Sequence, residues 1–392
     1  MVKERVRVAF VLNARGTGWM GGVNYMTNLL RAIGTCPLLQ PVIFSASEAL
    51  PPEFSEFDNL EFQKTSWVDP KGKLYFLRKS LARSLDRDVL FERFLNAHQI
   101  GVLSHYGHLG HRSSIPTIVW IPDFQHLHMP EFFDALEFQN RNRTFARIAN
   151  GASIVLLSSE SAQKDFKAAF PHAATRSRVL RFASDVGATF TAVPPRSYLE
   201  TTYGLTGPYF HVPNQFWIHK NHSVVIDALS MARQQGRPMT VVATGHTEDW
   251  RHPDYFQALM QRARAAGCAE DFRVLGLVPY STLTGLMVHA TALINPSLFE
   301  GWSTTVEEAK SIGKRIILSD IPVHREQAPE HGSYFRTDDP EALMAAMLSH
   351  LDTFDQDADL ARQLVAKRRQ LSRFKAFGAA YEDIVVSLVR QI

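Results

Sequence analysis

The sequence predicts an α/β protein made of two doubly wound parallel sheets, and three observations carry that expectation. Short apolar runs alternate with helical periodicity along almost the whole chain, the pattern of βαβ units with strands buried on both faces. At 392 residues the chain is too long for one comfortable core. The runs are also too numerous for one ordinary sheet.

In the first half, strands are expected at residues 6–12, 41–45, 101–104, 117–121, 153–157 and 179–182. In the second they are expected at 209–212, 240–244, 273–277, 292–295 and 315–319. Helical periodicity fills 23–33, 223–235, 253–266 and 283–290. The stretch around 191–208 is rich in Pro, Gly and Thr and lacks periodicity, so it marks a seam. The expected domains are 1–195 and 196–372, followed by an amphipathic helix at 373–392 with Phe377, Tyr381, Ile384, Val385, Leu388 and Val389 on its apolar face.

Composition narrows the class. The chain is 45% apolar and 21% charged, as in soluble globular proteins. A net charge of +3 favours anionic partners only weakly, and no nucleic-acid partner is expected. No run of about 18 apolar residues is present, so no spanning helix is expected. The N-terminal MVKERVRVAFVLNA reads as a first strand rather than an export signal. Cys36 and Cys268 are accordingly expected as reduced thiols in a cytoplasmic protein.

Two turns carry chemistry. After the first strand, NARGTGWMGGVNYMTNLL places Gly16, Gly18, Gly21 and Gly22 before a helix. Glycines there let backbone approach a ligand, and helix N-terminal N–H groups attract anions. The spacing is not that of a nicotinamide site. In the second half, YFHVPNQFWIHKNHSVVIDAL puts Lys220 beside a helix start, with Asn221 as the expected N-cap. A cation next to free N–H groups is a pyrophosphate site in chemistry, although a solvated lysine has the same local sequence.

The third element is PSLFEGWSTTVEEAKSIGKRIILSD, residues 296–320. Thr304 and Glu307 have capping-box spacing, so a helix is expected from about Thr305, with Glu307 reaching back to its N-cap. Glu300 and Glu308 remain, standing roughly 8–12 Å apart by helical rise and loop length. One suits sugar hydroxyls and the other a ribose, with the N–H groups of Ser303, Thr304 and Thr305 facing phosphates between them.

This segment resembles the signature of the family 4 retaining glycosyltransferases of GT-B fold: Pro-Ser, Glu-Gly, a second Glu eight residues after the first, a Gly turn and Ser-Asp. PNQFWIHKNH is similar to that family's phosphate-binding turn. VLGLVPYSTLTGLMVHATALINPS is similar to the stretch leading into the signature, and IPDFQHLHMPEFF and LLSSESAQKDF to a bacterial polysaccharide subgroup. The resemblance implies two Rossmann-like domains facing a cleft, with a last helix crossing back to the N-terminal domain. It also implies sugar transfer with retention from a nucleotide-sugar donor to a glycan, lipid-linked or other hydroxyl acceptor, without cofactor or metal.

Residue by residue, the resemblance gives Glu300 to donor sugar hydroxyls, Glu308 to ribose and Lys220 to the diphosphate. Gly22, beside Gly21, would sit under the phosphates, Gly245 would end a strand facing the donor, and Val278 would offer its backbone to the base. Asp123 and His126, after a strand of the first half, are the candidates for contact with sugar and acceptor. One departure stands out: the family's Arg five residues before the Lys is Gln215 here. An amide does not replace a guanidinium as a phosphate clamp, so either another cation such as Arg15 or Arg325 closes over the diphosphate or leaving-group stabilisation is weaker.

Other patterns are weaker. His105, His108 and His111 lack a zinc-site context. The acidic pairs Asp86–Asp88 and Asp357–Asp359 are expected within helical patterns rather than at strand ends. KGKLYFLRKSLARSLDRDVLFERFL surrounds an apolar stripe with Lys71, Lys73, Arg78, Lys79, Arg83 and Arg87, which fits either an ordinary surface helix or peripheral contact with anionic lipid near 71–94, at the inner face of the plasma membrane. A sugar-nucleotide epimerase or hydrolase, and a catalytically silent binding subunit, remain alternatives to the transferase.

Overall fold

The computed structural model describes residues 5–12, 20–48, 54, 59–110, 112–184 and 193–391. Gly16, Gly18, Arg15 and His111 lie outside the described residues. The chain forms two compact units, Met1–Ala183 with Ser372–Ile392, and Ser184–Leu371.

The first unit holds strands β1 (Val6–Val11), β2 (Leu39–Ser45), β3 (Glu61–Lys64), β4 (Val102–Ser104), β5 (Thr117–Ile121), β6 (Ile154–Leu157) and β7 (Ser177–Val179). They pair in the order β3-β2-β1-β4-β5-β6-β7, every pair parallel. Strand order reverses between β1 and β4, the switch point of a doubly wound sheet. One apolar layer joins Phe44, Phe91, Leu95 and Leu103, and another joins Ile121, Phe124, Leu157 and Phe166.

The second unit repeats the architecture with β8 (Tyr209–Val212), β9 (Thr240–Thr244), β10 (Phe272–Gly276), β11 (Leu293–Asn295), β12 (Ile316–Ser319) and β13 (Gly332–Phe335). The order is β10-β9-β8-β11-β12-β13, again all parallel, with its switch point between β8 and β11. Central strands such as IILS and TVVAT are buried on both faces, between Val225, Leu229 and Met347 on one side and Leu286, Val306 and Ile312 on the other. Cys36 and Cys268 are both free thiols and buried.

Two strands depart from the sequence expectation. β3 (EFQK) and β13 (GSYF) are edge strands with few apolar residues, and solvent on one side removes the apolar signal that marks central strands. The last helix is also longer than expected, one element spanning Gln356–Val389. Its opening turns are polar, and Asp359 there accepts from buried Lys314 at 2.7 Å. From Ser372 onward the helix belongs to the first unit, where Tyr381 donates to Ser104 Oγ at 2.7 Å and Glu382 accepts from Leu38 N at 2.7 Å.

Gly378 allows that helix to seat closely on helix Met20–Ile33, because a Cβ there would lie 2.7 Å from Ala32 O. Alanine normally strengthens a helix relative to glycine by about 1 kcal/mol. Here the carbonyl is backbone and cannot swing away, so Gly378→Ala is expected to destabilise by roughly 1–3 kcal/mol. Urea unfolding followed by circular dichroism checks the sign.

Candidate functional site

The site of the second unit lies where its strand order reverses. Asn214, Gln215 and Lys220 follow β8, Ser297 and Glu300 follow β11, and helix Thr304–Ile312 starts just beyond. Carboxyl ends of parallel strands at a switch point diverge and leave a crevice, the usual ligand position in such sheets.

Lys220 ends a 3-10 turn, Ile218–Lys220, and its Nζ donates to Glu300 Oε1 at 2.6 Å. Both side chains are largely buried, 15% and 10% exposed. Ser297 Oγ is 2.7 Å from the same carboxylate oxygen and 2.7 Å from Asn295 Oδ1. Burial pushes the Glu300 carboxyl up, but the Lys220 ammonium beside it outweighs that and holds it at about 2. Glu300 is therefore ionised and aligned.

Glu308 is the opposite case. It is buried in the same helix, has no ion pair or hydrogen bond among the described residues, and burial pushes its carboxyl up to about 8. Near neutral pH it therefore favours the protonated form.

The helix start differs from the expected capping box. Ser303, not Thr304, is the N-cap: its Oγ accepts from Val306 N at 3.3 Å and from Asn295 Nδ2 at 2.7 Å. The N–H of Ser303 goes to Gln327 Oε1 at 3.1 Å, so it does not face a ligand. Glu307 instead accepts from Lys310 at 2.9 Å and from Gln327 Nε2 at 3.0 Å. The N–H groups of Thr304 and Thr305, at the first two helical positions, have no hydrogen-bond acceptor among the described residues. Thr305 Oγ1 reaches Asn214 Oδ1 at 3.4 Å, and Asn214 Nδ2 reaches Asn295 Oδ1 at 3.2 Å.

Asn221 is corrected as well. It occupies the N-cap position of helix His222–Gln234 but in a left-handed conformation, φ 53°, without capping it through its side chain. Its Nδ2 instead donates to Thr337 O at 2.9 Å and Pro296 O at 3.2 Å, which ties the Lys220 turn to the strand end before Glu300. Gly245 closes β9 at φ 142°, and a Cβ there would lie 2.5 Å from Asn214 O. Gln215 Oε1 is buried without a hydrogen-bond partner among the described residues. Val278 is half-buried between β10 and helix Tyr280–His289.

Arg325 is committed elsewhere, paired with Asp320 at 2.7 Å and lying over the Tyr334 ring at 3.8 Å. Sequence reasoning missed Asn214, Asn295, Ser297, His324 and Gln327, the polar frame that aligns Glu300 and the helix start. The Asn and Ser residues at the ends of two strand candidates were the available signal.

In the first unit Gly21 and Gly22 lie in the first turn of helix Met20–Ile33 after β1, with open space where a Gly21 Cβ would stand. Asp123 follows β5 and its Oδ1 accepts from Gln125 N at 2.9 Å. His126 departs from the expectation of an accessible catalytic group. It is fully buried among Phe124, Phe133, Phe138 and Phe145, with Nε2 3.0 Å from Asn142 Oδ1, and burial lowers its pKa. It packs the loop.

His105 is half-buried beside Tyr25, whose hydroxyl is 2.9 Å from its Nε2. Asp86 and Asp88 form a turn between helices Lys73–Leu85 and Val89–Ala97, rather than lying inside a helix. Arg78 is fully buried and hydrogen-bonded to Trp67 O and Tyr106 Oη, and so is not a surface cation.

Residues 210–353 match the family model described as Glycosyl transferases group 1, so the second unit carries a domain of that kind. The fold is that of the GT-B glycosyltransferases. A glycosyltransferase from Rickettsia africae superposes with a TM-score of 0.68 at 13% identity, covering 99% of this chain and 100% of the other. HepE of Anabaena, solved with UDP and glucose, gives 0.64 at 17% identity, covering 99% and 98%. WaaG, a glycosyltransferase involved in lipopolysaccharide biosynthesis, gives 0.64 at 14% identity, covering 96% and 99%. These three likenesses establish the fold. No curated protein matches the chain by sequence.

The two carboxylates respond to pH in opposite ways. For Glu308 the unfolded carboxyl titrates near 4.5 and the folded one near 8, so between those values the folded chain binds more protons and loses stability as pH rises. Glu308→Gln removes that loss. The variant is expected to melt at least about 2 °C above wild type near pH 8, and level with it near pH 4. Scanning calorimetry at both pH values checks this.

Proposed function

We propose that the chain transfers a sugar from a nucleotide-diphosphate donor to a hydroxyl acceptor with retention of configuration. The observation that carries this reading is the aligned Lys220–Glu300 pair at the β8/β11 switch point, beside the first-turn N–H groups of Thr304 and Thr305 and the unpartnered Glu308.

Lys220 and those N–H groups bind the diphosphate, Glu300 accepts hydrogen bonds from donor sugar hydroxyls, and Glu308 accepts them from the ribose. Gln215 and Gly245 shape the same turn, and Val278 offers its backbone to the base. In the transfer step the bond from the anomeric carbon to the diphosphate oxygen breaks while the acceptor oxygen bonds to that carbon on the same face. The acceptor proton passes to the departing diphosphate oxygen. Positive potential already in place stabilises the charge that develops there. Because the protein itself supplies the cation and N–H donors, the reading includes diphosphate binding without metal.

The first unit presents the acceptor. Asp123, after β5, is its contact candidate, while Gly21 and Gly22, in the first turn of helix Met20–Ile33, keep the phosphate role that the resemblance gives them. A glycan or lipid-linked acceptor in bacterial surface polysaccharide synthesis fits this reading, with the enzyme in the cytoplasm and in peripheral contact with the inner membrane face. Among the described residues no helix is long and apolar enough to cross a membrane.

Nucleotide-dependent thermal stabilisation tests the proposal, with UDP first, because HepE was solved with it, then GDP and dTDP, all with EDTA present. One nucleotide is expected to raise Tm, and Lys220→Ala to abolish the rise. Removing Lys220 also leaves a buried carboxylate unpaired, which costs roughly 3–5 kcal/mol. Lys220→Ala combined with Glu300→Gln restores the fold but not the nucleotide effect. No rise with any nucleotide in wild type overturns the reading.

A further inference from the structure

Outside the donor site the first unit carries a groove of about 820 Å³. It lies between helix Lys73–Leu85, the turn after it, residues 108–110 and helix Ala135–Gly151. Its frame is rigid. Gly110 sits at φ 99°, where a Cβ would meet Asp86 O, and Asp88 N donates to Leu109 O at 2.9 Å.

The groove is basic. Lys79, Arg83, Arg87 and Arg147 line it against Asp86 and Asp88. Asp88 is committed: buried, it caps Val89–Ala97 and lies 3.3 Å from Arg78 Nε. Arg87 is held by Glu92 at 2.7 Å. Arg83 and Arg147 are exposed and form no ion pair among the described residues, and Lys79 is 3.8 Å from Asp88. A ligand entering this groove meets net positive charge with two uncommitted guanidinium forks, the geometry that suits phosphate.

The same helix exposes a large apolar surface. Phe76, at the groove, is 62% exposed, and Leu77, Leu81 and Leu85, at four-residue spacing, are 61%, 38% and 53% exposed. Lys71 and Lys73 stand exposed at its N-terminal end. Leucines at this spacing on a convex helix, flanked by basic side chains, have the composition of an interfacial helix.

We propose that this face docks on an anionic phospholipid surface, with a headgroup phosphate in the groove between Arg83, Arg147 and Lys79 and the Phe76 and leucine side chains in the headgroup–acyl boundary. This deepens the peripheral contact within the proposed function and names the groove and ligand class responsible. Its success or failure is separable from donor chemistry, because Lys220, Glu300 and Glu308 lie in the second unit.

The test is co-sedimentation of the full chain with vesicles of mixed phosphatidylcholine and phosphatidylglycerol, with phosphatidylcholine alone as reference. The UDP-dependent melting shift is read on every variant. Wild type is expected to sediment only with the anionic vesicles. Arg83→Gln with Arg147→Gln is expected to weaken partition about thirty-fold. Leu77→Ser with Leu81→Ser, both solvent-facing, is expected to bind at low salt and to release at high salt. Intact UDP shifts in both variants show that the effect lies in docking.

Equal sedimentation on both vesicle types, or variants that behave as wild type, overturns the proposal. So does stabilisation by inorganic diphosphate that Arg83→Gln with Arg147→Gln abolishes without any vesicle binding, which marks a soluble ligand. A dimer that Leu77→Ser with Leu81→Ser converts to monomer, again without vesicle binding, marks a second copy on this face and overturns it equally.

Discussion

Everything at the candidate site depends on one buried ion pair. Lys220 and Glu300 come from turns after two different strands and meet at 2.6 Å, largely shielded from water. Burying either charge alone costs several kcal/mol, and the pair persists because each partner neutralises the other and Ser297 satisfies the carboxylate further. β8 and β11 are neighbours at the point where the strand order reverses. The parallel register that puts Leu293 beside His211 thus also sets how near the two turns stand. Asn221 links one turn to the backbone of the other, and Asn214, Asn295 and Ser303 extend that link to the helix start. Sheet topology, polar frame and charge pair are one construction.

Two glutamates eight positions apart show how environment decides chemistry. Glu300 has a cation and a hydroxyl within hydrogen-bond reach and is held ionised at about 2. Glu308 has burial without a compensating charge and is pushed to about 8. One is an acceptor at all times. On the proposed function the other changes state when a ligand brings donors, so the cost of ionising it becomes part of the binding equilibrium.

Much of this was legible in the sequence because parallel strands buried on both faces are continuous apolar runs. TIVWI, YFHV and TVVAT stand out for that reason, and fold class follows from their alternation with helices. The edge strands EFQK and GSYF were silent, since one side faces solvent. Lys220, Glu300 and Glu308 were legible as residue types in a strand–turn–helix context. Their partners were not, because a hydrogen bond between Asn221 and Thr337 spans 116 residues and leaves no local trace. The cap slipped by one position because Ser303 and Thr304 are both competent N-caps, and Ser303 is favoured by Asn295, 8 residues before it, and Gln327, 24 residues on. His126 was misplaced for a related reason. Its sequence position after β5 points toward a ligand, but Phe138 and Phe145 of the following helix enclose it.

Position 215 ties the charge pair to the proposed chemistry. The backbone there is pressed against the end of β9, where a Cβ on Gly245 would lie 2.9 Å from Gln215 Cα, so the turn is fixed in place. A neutral amide in that position supplies shape but no charge. Along VPNQFWIHKN the permanent positive charge falls to Lys220, since burial holds His219 at about 3 and so uncharged. In this structure Lys220 is neutralised by Glu300. On the proposed function, an arriving diphosphate must draw the ammonium away from the carboxylate, and doing so releases Glu300 for sugar hydroxyls. Nucleotide alone leaves Glu300 with Ser297 as its remaining donor and therefore stabilises less than the intact donor, which satisfies both groups, so recognition of the two halves of the donor is coupled.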